Sequence, residues 1–341
     1  MIRKTLYFSA PGVLDVVEED CPAPAAGQAR LHTLLSAISP GTELLLYRGQ
    51  FPSELPVDAA ISALSGRFQY PLKYGYCLVG RVVELGLGVD PAWQDRLVFA
   101  FHPHESDFTA PVNELIAIPD GIPPEAASFL ANVETALNFV MDGVPLIGER
   151  VVIFGQGVVG LLTTGLLRRF PLESLITLDG FELRRQASLG LGAHASLDPR
   201  DTDWRERLLL HLPGEADLVY ELSGNPEALD QAIQVTGFAG RIMIGSWYGQ
   251  KKVSVNLGGS FHRSRIRLVS SQVSSLDPAI TGRWDKARRF KLAWQMIREL
   301  DPAQFITHRF RMDQAAEAYR LLDQHPDQAI QVLLNYPGED E

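Results

Sequence analysis

The chain has 341 residues, of which 46% are apolar and 21% charged, and a formal net charge of −10. That length suits about two domains, and an acidic balance with no basic stripe among aromatics excludes a nucleic-acid partner. The two cysteines, Cys21 and Cys77, are far apart and form no thiolate cluster, which excludes a disulfide framework and a thiolate–zinc site.

From the N-terminus, MIRKTLYFSAPGVLDVVEED reads as a first strand and turn, because its apolar stretch is brief and acids follow it. It is not a signal peptide, so a cytoplasmic protein is expected. The first 120 residues are β-rich, with extended runs at 29–38, 76–86 and 95–101 between Pro and Gly punctuation. Residues 123–143 carry helical spacing, with Pro in the first turn and Gly143 at the end.

From 150 to about 271, apolar strands at 151–155, 174–179, 216–222 and 240–246 alternate with helices at 158–169, 182–191 and PEALDQAIQVT. This alternation argues for a parallel, doubly wound α/β sheet. Helices near 284–300 and at 313–323, then a last strand AIQVLLNY, complete the chain. The uncharged run 151–167 is shorter than the about 20 residues a bilayer needs and holds four glycines. It reads as a buried strand and helix, and no membrane partner is expected.

VVIFGQGVVG (151–160) is a GxGxxG that leaves a strand and opens a helix. Gly155 makes the tight turn, Gly157 lets the backbone approach a pyrophosphate, and Gly160 lets helix pack on strand. Val158 and Val159 begin the helix, whose N-terminus offers amides and positive potential to phosphate. Asp179 follows at the end of the second strand, where a carboxylate accepts from ribose hydroxyls and repels a 2′-phosphate. NAD(H) is therefore expected over NADP(H), a preference tempered by Arg184 and Arg185.

The segment AFHPHESDF (100–108) sets His102, His104 and Glu105 within four positions. Imidazole is the natural acid–base group near neutral pH. Residues at i and i+2 of an extended segment share a side, so a replacement metal site is the alternative to a proton-transfer role or a hydrogen-bonded turn.

The whole chain resembles the medium-chain dehydrogenase/reductase superfamily, on GTELLLYRG (41–49), YGYCLVGRVVELG (74–86), DRLVFAF (95–101), IPDGIPPEAASFL (118–130), the glycine loop and ITHRFRMDQAAEAYRLLD (306–323). SAISPGTELLLYRGQ and YPLKYGYCLVG are similar to the branch of 3-hydroxyethyl bacteriochlorophyllide dehydrogenases. The resemblance implies a GroES-like β-rich catalytic domain (1–129 and 276–341) and a Rossmann domain (130–275), with the active site in their cleft. It also implies a small-molecule substrate and a homodimer paired through the edge strand RIRLVSSQV (265–273).

Zinc members of that superfamily hold the metal at three positions, which align here with Pro40, Tyr76 and Ala131; the four-cysteine zinc lobe is missing too. No zinc is therefore expected. Thr42 keeps the position of a proton-relaying hydroxyl, or else stabilises a turn. Tyr76 offers its phenol to substrate, or else plugs the empty metal position. Glu43 is expected to tie down its loop. Phe101 aligns with a pocket-lining aromatic, which puts His102 and His104 at the rim. Further cofactor contacts implied are Thr135, Ser223, Gly245 and Ser270.

Three functions fit these readings. The first is a zinc-independent, NAD(H)-dependent oxidoreductase of a secondary alcohol or its ketone. The second is an NADPH-dependent quinone or enoyl double-bond reductase, and the third a nucleotide-binding protein that has lost catalysis.

Overall fold

A computed structural model describes residues 1–52, 54–58 and 61–336. Ser53, Ala59 and Ala60, within the expected substrate-side loop 53–75, lie outside the described residues. The chain divides into two compact units, Met1–Ala131 with Ile297–Glu341, and Asn132–Met296.

The first unit holds the β-rich part. Gln28–Ala37 alternates half-buried Arg30 and His32 with buried Leu31, Thr33 and Leu35. It is a strand because a period of two puts one face of its side chains in the core. It pairs antiparallel with Leu78–Leu85, Asp107–Pro111 and Gln331–Asn335, the last of which pairs parallel with Ile306–Arg311. The C-terminal segment thus completes the N-terminal sheet. A second sheet joins Val13–Asp20, Ile2–Ala10 and Leu72–Lys73. Between them lies a core of Leu6, Phe8, Ile38, Leu46, Phe51 and Tyr319.

Two elements differ from the sequence reading. GTELLLYRG forms a helix, Pro40–Tyr47, opened by a proline whose fixed φ suits the first turn. The helical stretch 123–143 divides into Pro124–Ala127 and Leu130–Gly143. At the break the Ser128 hydroxyl donates to the Glu125 carbonyl at 2.7 Å, the local competition that shortens helices.

The second unit is a six-stranded parallel sheet. Its spatial order is Ala195–Leu197, Ser174–Leu178, Arg150–Phe154, Ala216–Glu221, Thr236–Ile244 and Arg267–Ser270. In chain order that is third, second, first, fourth, fifth, sixth, the doubly wound dinucleotide-binding arrangement. The short strand Ala195–Leu197 and the helix Trp204–His211 carry too little periodicity to have been read. Val158–Leu167 is a helix of 10 residues, all buried but the half-buried Val159, in keeping with its uncharged sequence. Among the described residues no helix is long and apolar enough to cross a membrane.

A return to the first domain is expected at 276, and the division into compact units falls at Ile297. The helix Lys286–Leu300 supplies the reason: Arg289, 1% exposed, reaches Glu134 Oε1 at 2.7 Å and the Val273 carbonyl at 2.6 Å. A buried cation goes with the unit that holds its counter-ion.

Candidate functional site

In the first unit, three hydroxyls meet at the start of helix Pro40–Tyr47. Ser39 holds the N-cap position in extended conformation, and its carbonyl accepts from the Thr42 and Glu43 amides at 3.1 and 2.9 Å. An N-cap serine ordinarily turns its hydroxyl onto the first-turn amides. The Ser39 hydroxyl makes no such bond and pairs with the Tyr76 hydroxyl instead. Tyr76 also lies 3.4 Å from Thr42 Oγ1. Burial pushes the Tyr76 phenol well above its ordinary value, against the lowering effect of hydrogen bonds with Ser39 and Thr42. The group therefore stays protonated throughout the neutral range.

Behind these hydroxyls lies the fully buried Glu43. Its Oε1 accepts from the Ser39 amide at 2.7 Å, a returning acid of the kind that closes capping boxes. Its Oε2 accepts from Tyr319 and from His104 Nε2, the latter at 3.0 Å. His104 Nδ1 lies 2.6 Å from Ser36 Oγ, which lies 2.8 Å from the Tyr336 hydroxyl. Glu43 thus ties down the loop, as its position suggested.

His102 and His104 point to different partners. His104 is 0% exposed and turned to Glu43. His102 stacks on Phe108 with ring centres 3.8 Å apart and reaches Glu105 Oε2 at 3.2 Å. Burial holds the His102 imidazole below its ordinary value, against the raising effect of Glu105. Glu105 is itself held by Arg3 and Lys73, each at 2.9 Å. Burial works to raise its carboxyl, but hydrogen bonds and charges from His102 and Lys73 prevail and lower it. Phe101 packs edge-on against Phe99. Neither imidazole shares a ligand geometry with the other.

The three aligned metal positions do not fit zinc. Pro40, Tyr76 and Ala131 offer no thiolate, imidazole or carboxylate, which are the ligands zinc takes. Among the described residues no group of three or more His, Cys, Asp or Glu is placed to hold a metal ion.

In the second unit the glycine loop fits a dinucleotide. Gly155 has φ +91°, and a Cβ there would lie 2.5 Å from Ser223 Cα; at Gly160 it would lie 2.0 Å from the Gly155 carbonyl. At Gly157 a Cβ would meet nothing within 4 Å, so open space lies where phosphate approaches. Helix Val158–Leu167 begins directly after it, with Val158 buried and Val159 half-buried. Asp179, 7% exposed, accepts from the Gln156 and Phe181 amides at 2.7 and 2.8 Å.

Arg184 Nη1 lies 4.0 Å from Asp179 Oδ2, with its guanidinium over the Phe181 ring. Arg185 turns away to the Asp179 carbonyl and Asp198. Ser223 and Tyr248 both donate to the buried Glu221. A Cβ on Gly245 would lie 2.4 Å from Phe139, so close packing requires glycine there. Thr135 is half-buried on helix Leu130–Gly143. Ser270 is exposed, while its neighbour Ser271 bonds Asp142 at 2.5 Å. The sequence reading did not single out Ser36, Ser39, Tyr319, Tyr336, Glu221 or Tyr248. Only Ser39 carried a local signal, as a helix-capping residue before Pro40.

A doubly wound unit with a dinucleotide loop, joined in one chain to a GroES-like β unit, defines a nicotinamide-dependent oxidoreductase of the medium-chain type. Residues 158–291 match the zinc-binding dehydrogenase family. The chain is 25% identical to the D-guloside 3-dehydrogenase of Escherichia coli (strain K12) over 98% of its length and 100% of that protein's. Solved relatives include RspB, an alcohol dehydrogenase of Escherichia coli CFT073 complexed with NADH. It has a TM-score of 0.79 and 18% identity, covering 98% of this chain and 99% of that one. A chain of Sinorhizobium meliloti 1021 bound to NADP has a TM-score of 0.77 and 20% identity, with the same coverage. The family match covers the nucleotide-binding part, and the relatives extend the likeness to medium-chain dehydrogenases along the whole chain.

Proposed function

We propose that this protein is a zinc-independent, NAD(H)-dependent oxidoreductase that interconverts a secondary alcohol and its ketone. The observation that carries the proposal is the meeting of the Ser39, Thr42 and Tyr76 hydroxyls, Tyr76 standing at a position where the resemblance implies a zinc ligand. The likeness to D-guloside 3-dehydrogenase supports a sugar- or polyol-type substrate in preference to a bacteriochlorophyllide.

The bound nicotinamide supplies or takes up the hydride. In the reducing direction the Tyr76 hydroxyl donates a hydrogen bond to the substrate carbonyl oxygen and passes its proton as that oxygen becomes an alkoxide. The transfer runs downhill, because an alkoxide is a stronger base than a phenolate. Ser39 and Thr42 stabilise the phenolate by hydrogen bonding, and a proton from solvent, passed through one of these hydroxyls as it gives up its own, restores the phenol. Steady-state assays of keto sugars, simple ketones and enones with NADH and NADPH test this. Turnover of the ketones with NADH is expected; turnover confined to enones with NADPH would establish the double-bond reductase instead.

The cofactor preference has its own test. Removing the Asp179 carboxylate leaves Arg184 facing the ribose end without its acidic neighbour. Asp179→Ser is expected to weaken NADH binding and strengthen NADPH binding, shifting the ratio of their Kd values about tenfold or more. Fluorescence titration measures both, and an unchanged ratio would remove Asp179 as the selector.

A further inference from the structure

The start of helix Pro40–Tyr47 departs from a local rule, since its N-cap hydroxyl serves Tyr76 and leaves the first turn uncapped. Something else must hold Ser39 in place, and among the described residues the side chain bonded to its amide is Glu43. We infer that His104 is a positioning residue: through Glu43 it fixes the Ser39 backbone, and so aims the Ser39 and Thr42 hydroxyls at Tyr76. The inference rests on the reading of Tyr76 given above.

The donor pattern determines how the set is wired. A carboxylate only accepts, so the Ser39 amide, the Tyr319 hydroxyl and His104 Nε2 all donate to Glu43. His104 Nε2 faces Glu43 Oε2, its Nδ1 faces Ser36 Oγ, and that hydroxyl also meets the Tyr336 hydroxyl, so the imidazole is engaged at both ring nitrogens. Apart from the half-buried Ser39 every member of this set is buried, so losing one leaves the next without a partner in a medium of low dielectric.

The backbone is also shaped around this imidazole. Gly75, directly before Tyr76, has φ +121°, and a Cβ there would lie 2.7 Å from His104 Cδ2 and Nε2. The same residue step therefore seats the imidazole and presents the phenol. His104 touches neither Ser39 nor Tyr76 in any hydrogen bond; its effect passes through Glu43.

A double-mutant cycle on kcat tests the inference, combining His104→Ala and His104→Gln with Tyr76→Phe while NADH Kd and thermal unfolding are recorded. His104→Ala is expected to lower kcat roughly ten- to hundredfold, the range for a small misplacement of reacting groups. His104→Gln, which keeps a donor toward Glu43 and an acceptor toward Ser36, is expected to retain most of kcat. NADH Kd stays unchanged in both, and His104→Ala has no further effect in the Tyr76→Phe background. Where His104→Ala does not fold, Glu43→Gln takes its place in the cycle with the same expectation.

An equal loss in both backgrounds, with Tyr76→Phe itself impaired, would overturn the positioning role and leave the reading of Tyr76 standing. A His104→Gln protein as impaired as His104→Ala would overturn it too. A Tyr76→Phe protein with undiminished kcat would instead defeat the reading of Tyr76, and this inference with it.

Discussion

Tyr76→Phe lowers kcat for ketone reduction by about 10²- to 10⁴-fold, the range for losing a positioned proton donor, with NADH Kd unchanged. The substitution removes one oxygen and keeps the ring, which packs edge-on against Tyr74 with centres 6.1 Å apart. Packing therefore changes little, and the loss falls on chemistry. The Ser39 and Thr42 hydroxyls then lose their bonds to the phenol and with them their route to the substrate. The pH profile is a second readout. Because burial holds the phenol protonated, kcat for reduction in the wild type stays level through the range where an ordinary tyrosine ionises. A fall in kcat near the ordinary tyrosine value would contradict that assignment.

Arg289→Ala destabilises the second unit by about 3–5 kcal/mol, the cost of leaving a buried charge without its partner. The guanidinium is 1% exposed and bonds Glu134, Asn138 and the Val273 carbonyl, joining helix Lys286–Leu300 to helix Leu130–Gly143. Burial raises the Glu134 carboxyl above its ordinary value, against the opposing pull of Arg289. A carboxyl raised in the folded state favours folding below its unfolded pKa and loses that contribution as pH rises through the folded value. In Arg289→Ala only the weaker pull of Lys286 still opposes the raising effect of burial, so the deficit shrinks on acidification toward pH 5. Urea unfolding at two pH values measures both effects; a deficit independent of pH would show that Glu134 is not the group left uncompensated. Exchanging both partners for apolar residues of similar volume is close to neutral by the same reasoning.

Much of the fold could be read where the local pattern is dense. The strand at 29–38 has a clean period of two, and the 151–160 segment ties a glycine code to a strand and a helix. That Pro40, Tyr76 and Ala131 carry no thiolate, imidazole or carboxylate was legible too, whatever their geometry. Helix Pro40–Tyr47 was not read, since eight residues opening with Pro-Gly give little helical periodicity. The directions of His102 and His104 were hidden as well. The rule that i and i+2 share a side holds for a strand, and residues 101–103 carry no regular structure. The partners of His104 lie at 36 and 43 in sequence, and Tyr319 and Tyr336 enter from the far end of the chain. Contacts of that separation leave no mark on a single sequence.

The central claim is hydride transfer without zinc, with a tyrosine hydroxyl in place of the metal. The most direct measurement is metal content by elemental analysis on the same preparation that turns over a ketone with NADH, before and after prolonged chelation. The expected result is well under one zinc per chain and a kcat that chelation leaves unchanged. One zinc per chain, with activity lost on chelation and restored by adding zinc, would contradict it.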